Sequence, residues 1–477
     1  MESLRYSKIL NYACWFLFII GLGYLKVNFH ELWKDEWQAW FVARDKNVFE
    51  IFSFLYYEGH PGLWYFFLKP FTYFSDGAND VLLLSTAHWI TVATGMYFLF
   101  IKFRLPIVFK ILFALGYFLS FEYGLVNRGY ALVVLFSFWA AWLLSSKDYN
   151  KKHLAWVLFL LCQTEIYGVM MALVFGTFLY LQSSKESIQT FLKSTPIKGL
   201  TAGFVLFLIS VFPRSVGHVA KTSAKEWDFF DKVLVSFQGN LSNTFLPGST
   251  LDTFTYGWSA AGLCLSILLL GALYFIFKDQ KNLWFASMLF TFGMMAFSLF
   301  FFMGGIRQWG MGFVFFIALL QVRNLDFIKE KIVSTIIFCI SITSVFYGFK
   351  AIKEDINIPF TNAKVVGEFI EAKVPEKVPV VAINKFECTP VIGYAKRKFY
   401  ELPNGVEFSY FRWVDKIYLP SEGELKLFTK YKGVGGIVVI TPKALDPQRY
   451  PNAQLWQKFD QKNYKNENYY LYSLPLK

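Results

Sequence analysis

Long apolar blocks fill the first 350 positions, separated by short polar clusters, and beyond them the pattern becomes that of an ordinary mixed domain. The blocks run over 9–27, 80–101, 107–126, 129–146, 154–166, 167–182, 197–213, 256–277, 283–303, 307–323 and 332–350. A helix that crosses a bilayer needs about 20 mostly apolar residues. The pattern therefore predicts about eleven spans. The stretch 154–182 reads as two short helices bent near Thr164–Gly168, with one long tilted helix as the alternative. The segment GLWYFFLKPFTYFS at 62–75 is apolar but short, and Lys69 and Pro70 interrupt it, so it reads as a re-entrant or interfacial element.

After 350 the periods shorten. VPVVAI at 378–383 predicts a strand, 387–396 a helix and 397–402 a strand. A helix at 421–432, a buried strand at 435–441, a helix at 452–460 and a strand at 468–473 follow. Such alternation predicts a small α/β layer structure. Gly433, Gly435 and Gly436 precede a strand with the wrong spacing for a dinucleotide fingerprint and read as a turn. The fold class expected is mainly α: a polytopic membrane helix bundle at 1–350 with a small C-terminal α/β extracytoplasmic domain at 351–477.

Composition strengthens the membrane reading. Only 17% of residues are charged and 55% are hydrophobic, against roughly 25% charged in soluble domains. The net charge of +13 comes with no nucleic-acid recognition motif, so no nucleic-acid partner is expected. The basic residues instead set an orientation. With a cytoplasmic N-terminus, the basic stretches at 102–106, 147–153, 185–198, 278–282 and 323–331 all fall inside, as the positive-inside rule requires. Counting 62–75 as a full crossing would put them outside. The expected outer loops are 28–61, 121–130 and 214–255. Arg5 and Lys8 precede the first apolar run, but no small-residue cleavage site follows, so a retained first helix is expected. Four of the five cysteines lie in apolar segments and only Cys388 lies in the C-terminal domain, which leaves no intradomain disulfide and no zinc-finger spacing.

The first outer loop holds the richest chemistry. Asp35 and Glu36 follow the first span, in a stretch whose Trp37, Trp40 and Phe41 recur at helical spacing, as in an amphipathic helix lying on lipid. A carboxylate there can cap a helix or serve as a general base, and the two roles are compatible. Glu58-Gly59-His60-Pro61 ends the loop as a turn. With Asp35, its Glu58 and His60 are a candidate oxygen and imidazole set for a divalent metal ion. Glu122 stands inside an apolar run, where an ionisable group is costly. Arg128, in the same turn, is its nearest candidate partner. Glu165 raises the same question at the bend, with capping, helix pairing and function all open. Arg307, in GGIRQWG, is suited to bidentate phosphate recognition. Arg214, His218, Lys221 and Lys225 add charge to the third loop.

A first span, a long outer loop opening on Asp35-Glu36, then His60-Pro61 leading into an apolar segment resembles the C-type superfamily of membrane glycosyltransferases. Protein O-mannosyltransferases and the lipid A aminoarabinose transferases belong to it. The stretch DEWQAWFVARD…YEGHPGLWYFFLKP looks like a bacterial branch with that architecture, and GLVNRGY and GGIRQWG resemble its later outer turns. The likeness covers roughly 9–350. The chain departs from the mannosyltransferases at Pro61-Gly62, where they carry two prolines.

The resemblance implies transfer of a sugar from a polyprenyl-phosphate donor to a hydroxyl on a glycan, lipid or protein acceptor, at the outer face of a bacterial inner membrane. It implies Asp35 as the carboxylate near the acceptor, with Glu36 beside it. Arg128, Arg307 and His60 become candidates for the lipid phosphate and donor, with Glu58, Glu122 and Glu165 near the pocket. The alternatives are a transporter or flippase for a lipid-linked glycan, and a non-catalytic glycan-assembly protein.

Overall fold

The computed structural model describes residues 2–146, 148–183, 187–211, 228–247 and 257–475. Arg214, His218, Lys221 and Lys225, and most of the third expected outer loop, lie outside the described residues. The chain is mainly helical and ends in a small sheet. Among the described residues, five helices are long and apolar enough to cross a membrane: Lys8–Asn28, Asp80–Lys102, Ala260–Phe277, Lys281–Phe300 and Lys331–Asn357. Tyr130–Leu144, Ile166–Gln182 and Thr195–Val211 are shorter apolar helices.

Two compact units divide the chain. The first comprises Met1–Tyr24, Phe52–Trp64 and His88–Ile352. The second comprises Leu25–Ile51, Tyr65–Ala87 and Lys353–Lys477. The Asp35-Glu36 segment thus belongs to the same unit as the C-terminal sheet, whereas Glu58 and His60 belong to the first unit.

In the first unit several apolar blocks are broken helices. The block at 107–126, expected as one span, is a helix over Ile107–Leu115 followed by a π turn over Phe118–Glu122. The break falls at Gly116, where a Cβ would stand 2.8 Å from Ser344 Oγ, and Ser344 Oγ accepts from Tyr117 N at 3.2 Å. The block at 154–182 is likewise two helices, Lys151–Leu161 and Ile166–Gln182. The GGIRQWG turn makes a short helix over Ile306–Trp309, then Met311–Arg323. Gly310 joins them because its missing Cβ would lie 2.1 Å from the Phe118 ring. Leu63–Thr72 is helical, with Pro70 in its last turn.

The second unit is built on a six-stranded mixed sheet of order β3-β2-β1-β4-β6-β5. Its strands are β1 (Val380–Ala382), β2 (Phe399–Glu401), β3 (Val406–Phe408), β4 (Gly436–Thr441), β5 (Gln454–Phe459) and β6 (Tyr469–Pro475). β1 runs parallel to β2 and β4, and the other pairs are antiparallel. Parallel neighbours need crossovers, and the helices Lys385–Ala395 and Glu422–Tyr431 lie in those connections. Val381, Val439, Leu425 and Leu474 are among the core residues, each at most 1% exposed. The segment at 452–460, expected as a helix, is strand β5. It is a mostly exposed edge strand, held by ladder bonds to β6 from Gln454↔Ser473 to Phe459↔Tyr469. An available sheet edge outweighs the weak local preference of QLWQKF.

The helix Lys34–Asp45 is present but does not lie on lipid. Trp37 and Trp40 are 0% exposed and Phe41 is 1% exposed. Trp37 packs on Gly393, where a Cβ would stand 2.3 Å from its ring, and edge-to-face on Tyr394 at 5.3 Å. Gln38 reaches the backbone of Phe411 in both directions, donating from Nε2 to the carbonyl at 2.7 Å and accepting from its N–H at 3.1 Å. Aromatic residues at helical spacing serve a protein core here. Periodicity alone cannot tell a core-facing stripe from a lipid-facing one.

Candidate functional site

Two polar clusters carry the chemistry, one in each unit. In the second unit the chain leaves the first apolar helix at Asn28 and re-enters a helix at Lys34, with Trp33 extended between them. Glu36 closes the new helix: its Oε2 accepts from Trp33 N–H at 3.0 Å. Its Oε1 lies 3.2 Å from His30 Nε2, and His30 Nδ1 lies 3.1 Å from Asp355 Oδ2. Both His30 nitrogens therefore face carboxylates. Burial by itself pushes the His30 pKa down, but the charges and hydrogen bonds of Asp355 and Glu36 outweigh it and hold it at about 9. Lys26, 2% exposed, feels the same two carboxylates. These four ionisable groups form a buried quartet in which His30 bridges the two carboxylates, the pairing under which buried charge is tolerated.

Glu36 is consequently committed to the backbone and to His30. Asp35 is half-buried in the first turn of the same helix. A helix N-terminus favours an anion there. The adjacent Lys34 donates to Glu387 at 2.9 and 3.0 Å. Burial lowers the Lys34 pKa, but Glu387, Glu467 and Asp35 raise it further, so the net shift is upward. Glu467, 8% exposed, accepts from Thr361 Oγ1 at 2.6 Å, and burial pushes its carboxyl up to about 7.

In the first unit the structure gathers Glu122, Arg128, Glu165 and Arg307 around a group of tyrosines. Arg307 Nε donates to Glu122 Oε1 at 2.5 Å, and Tyr117 OH donates to Glu122 Oε2 at 3.1 Å. Tyr123 OH donates to the Arg307 carbonyl at 2.6 Å, and Gln308 Nε2 donates to Tyr130 OH at 3.1 Å. Tyr123, Tyr130 and Tyr167 follow one another at ring separations of 6.0 and 6.3 Å. Glu122 thus pairs with Arg307, a partner that the sequence did not suggest. The missing side chain of Gly310 is the reason: it lets the Arg307 turn close on Phe118 and Tyr123 beside Glu122. Arg128 lies over the Tyr130 ring at 5.4 Å. Glu165 occupies the N-cap position of Ile166–Gln182 but makes no capping bond. Its Oε1 lies 3.3 Å from where a Cβ on Gly129 would stand.

Glu58 and His60 approach each other at 3.8 Å, with the Glu58 side chain 2% exposed. Among the described residues no group of three or more His, Cys, Asp or Glu side chains is gathered as a metal ion would need. The metal suggested for Asp35, Glu58 and His60 therefore has no ligand cluster behind it.

The local pattern pointed to Asp35, Glu36, Glu122 and Arg307 but missed His30, Asp355, Lys26, Glu387 and Glu467. A faint signal existed: His30 and Asp355 each sit at the end of an apolar run, the first and the last of the chain. No protein-family model matches the chain, and no curated protein matches it in sequence.

Proposed function

We propose that this chain is a membrane glycosyltransferase of the C-type kind, drawing its sugar from a polyprenyl-phosphate donor. In this reading it has about eleven spans in a bacterial inner membrane, with the N-terminus cytoplasmic and the C-terminal unit extracytoplasmic. The observation that carries the reading is the division of labour in the Asp35-Glu36 pair. Glu36 is buried and held by His30 and Trp33, while Asp35 is half-buried on a helix fixed by its neighbour. One carboxylate is locked so that the other has a defined position.

The chemistry asks for one base. An acceptor hydroxyl attacks the anomeric carbon, its proton passes to Asp35, and the lipid phosphate departs with the bonding electrons and needs no proton. Attack opposite the leaving group inverts the anomeric centre. Arg307 and Arg128 are the candidates to receive the developing phosphate charge, and His60 is a further donor-side candidate. A phosphate arriving at Arg307 shares its guanidinium with Glu122.

The test is transfer from a radiolabelled polyprenyl-phosphate sugar by the purified full chain. Asp35→Asn is expected to lower the rate by about 10²–10⁴-fold with unchanged thermal unfolding. Undiminished transfer by that variant would defeat the proposal. A flippase for a lipid-linked glycan is the second reading. The matched charges of Glu122 and Arg307 among apolar helices favour it, and it predicts lipid translocation that is indifferent to Asp35→Asn.

A further inference from the structure

The second unit has an open cleft of about 520 Å³ beside the buried quartet, which the transferase chemistry above does not use. Its wall carries His30, Glu31, Lys364, Glu368, Glu371 and Lys396. The volume falls in the range of small-ligand sites, about 300–1,000 Å³. Glu31 is the unusual member. Its Oε2 is buried without a hydrogen-bond partner, and its Oε1 is 3.8 Å from Lys364 Nζ, beyond hydrogen-bond reach. Burial raises the Glu31 pKa, only partly offset by Lys364 and by a hydrogen bond from the Thr361 backbone. A buried carboxylate oxygen left unsatisfied is costly. The side chain is 16% exposed, and its terminal torsion is soft, so a small rotation presents that oxygen to the cleft.

The signs of the lining narrow the ligand. Both carboxylates and ammonium groups line the wall, and Glu371 is already engaged by Arg397 at 3.2 Å. A strongly charged ligand would meet like charge on one side. A neutral molecule with many hydroxyls meets both: it donates to the carboxylates and accepts from the lysines.

We infer that this cleft is a saccharide subsite in which Glu31 accepts a hydroxyl of the bound sugar and Lys364 donates to a neighbouring oxygen. The inference deepens the transferase reading by giving a glycan acceptor a holding site apart from its reacting hydroxyl, and it rests on that reading for the choice of a saccharide.

The experiment is equilibrium binding of two neutral disaccharides, maltose and N,N′-diacetylchitobiose, to the full chain in nanodiscs, followed by titration calorimetry. At least one binds saturably to the unaltered protein. Glu31→Gln, which replaces an accepting oxygen by a donor, weakens that binding by about tenfold or more. Ala78→Trp, at an exposed position on the rim, blocks it with an unchanged unfolding midpoint. Asp35→Asn leaves binding intact. Absence of saturable binding by both sugars, or binding unaffected by both Glu31→Gln and Ala78→Trp, overturns the inference. The two failures are separable: loss of transfer in Asp35→Asn without any sugar binding sinks the subsite alone, whereas sugar binding with full transfer in Asp35→Asn sinks the transferase reading alone.

Discussion

The two buried polar clusters solve one problem with different cations. In the first unit Glu122 is neutralised by Arg307, and tyrosine hydroxyls and an amide satisfy the remaining polar atoms. In the second unit Glu36 and Asp355 are neutralised by His30 with Lys26 nearby. A guanidinium stays charged at any accessible pH, whereas an imidazole does not. The first arrangement therefore behaves as a fixed brace. The second responds to protons, and it is the one that positions the helix bearing Asp35. Each is docked by a glycine against an aromatic ring, Gly310 on Phe118 and Gly393 on Trp37.

The comparison is most severely tested by removing one partner of the fixed brace. Arg307→Ala leaves Glu122 buried without its cation and is expected to cost about 3–5 kcal/mol, measured by chemical unfolding in detergent. Adding Glu122→Gln should recover most of that loss. If Arg307→Ala alone is neutral, the pair is not a brace.

The next effect is the pH response of the second cluster. The folded His30 pKa of about 9 lies above the unfolded value of about 6.5. Its contribution, about 3 kcal/mol from that difference, is therefore complete below about pH 6.5 and is lost as pH rises through about 9. His30→Gln should flatten the alkaline fall of the unfolding midpoint. Arg307→Lys should leave that fall in place.

Smaller again are the two glycines. Gly310→Ala and Gly393→Ala each force a Cβ into a ring and are expected to cost about 1–3 kcal/mol. Gly393→Ala should also slow transfer, because it disturbs the helix that carries Asp35. The last effect has the opposite sign. Burial raises the Glu467 pKa to about 7, above its unfolded value. Ionisation at higher pH therefore works against the fold. Glu467→Gln should raise the unfolding midpoint at pH 8 and do little at pH 5. A lower midpoint at pH 8 would mean that its attraction to Lys34 outweighs burial.

The apolar blocks were legible because length and hydropathy are local properties. The first loop was legible as a helix with two leading carboxylates, and the sheet as alternating short elements. What stayed hidden was long-range partnership. Glu36 is claimed by His30, which is itself claimed by Asp355 across 325 positions. Glu122 is claimed by Arg307 across 185 positions. The stripe of Trp37, Trp40 and Phe41 carried the right period but not the identity of what covers it. Strand β5 had no pattern of its own, because its conformation is imposed by β6.

The bond between His30 and Asp355 also constrains the order in which the molecule can be made. A ribosome delivers the amino end first, and chains fold as they emerge. The imidazole and the glutamate beside it leave the tunnel while the aspartate that completes them is still untranslated. Until nearly three quarters of the polypeptide exists, the short helix after the first apolar segment has no means of closing its charges. Maturation of that corner is thus a late event at an early address, and a chain truncated before position 355 would carry its amino-terminal carboxylates unassembled.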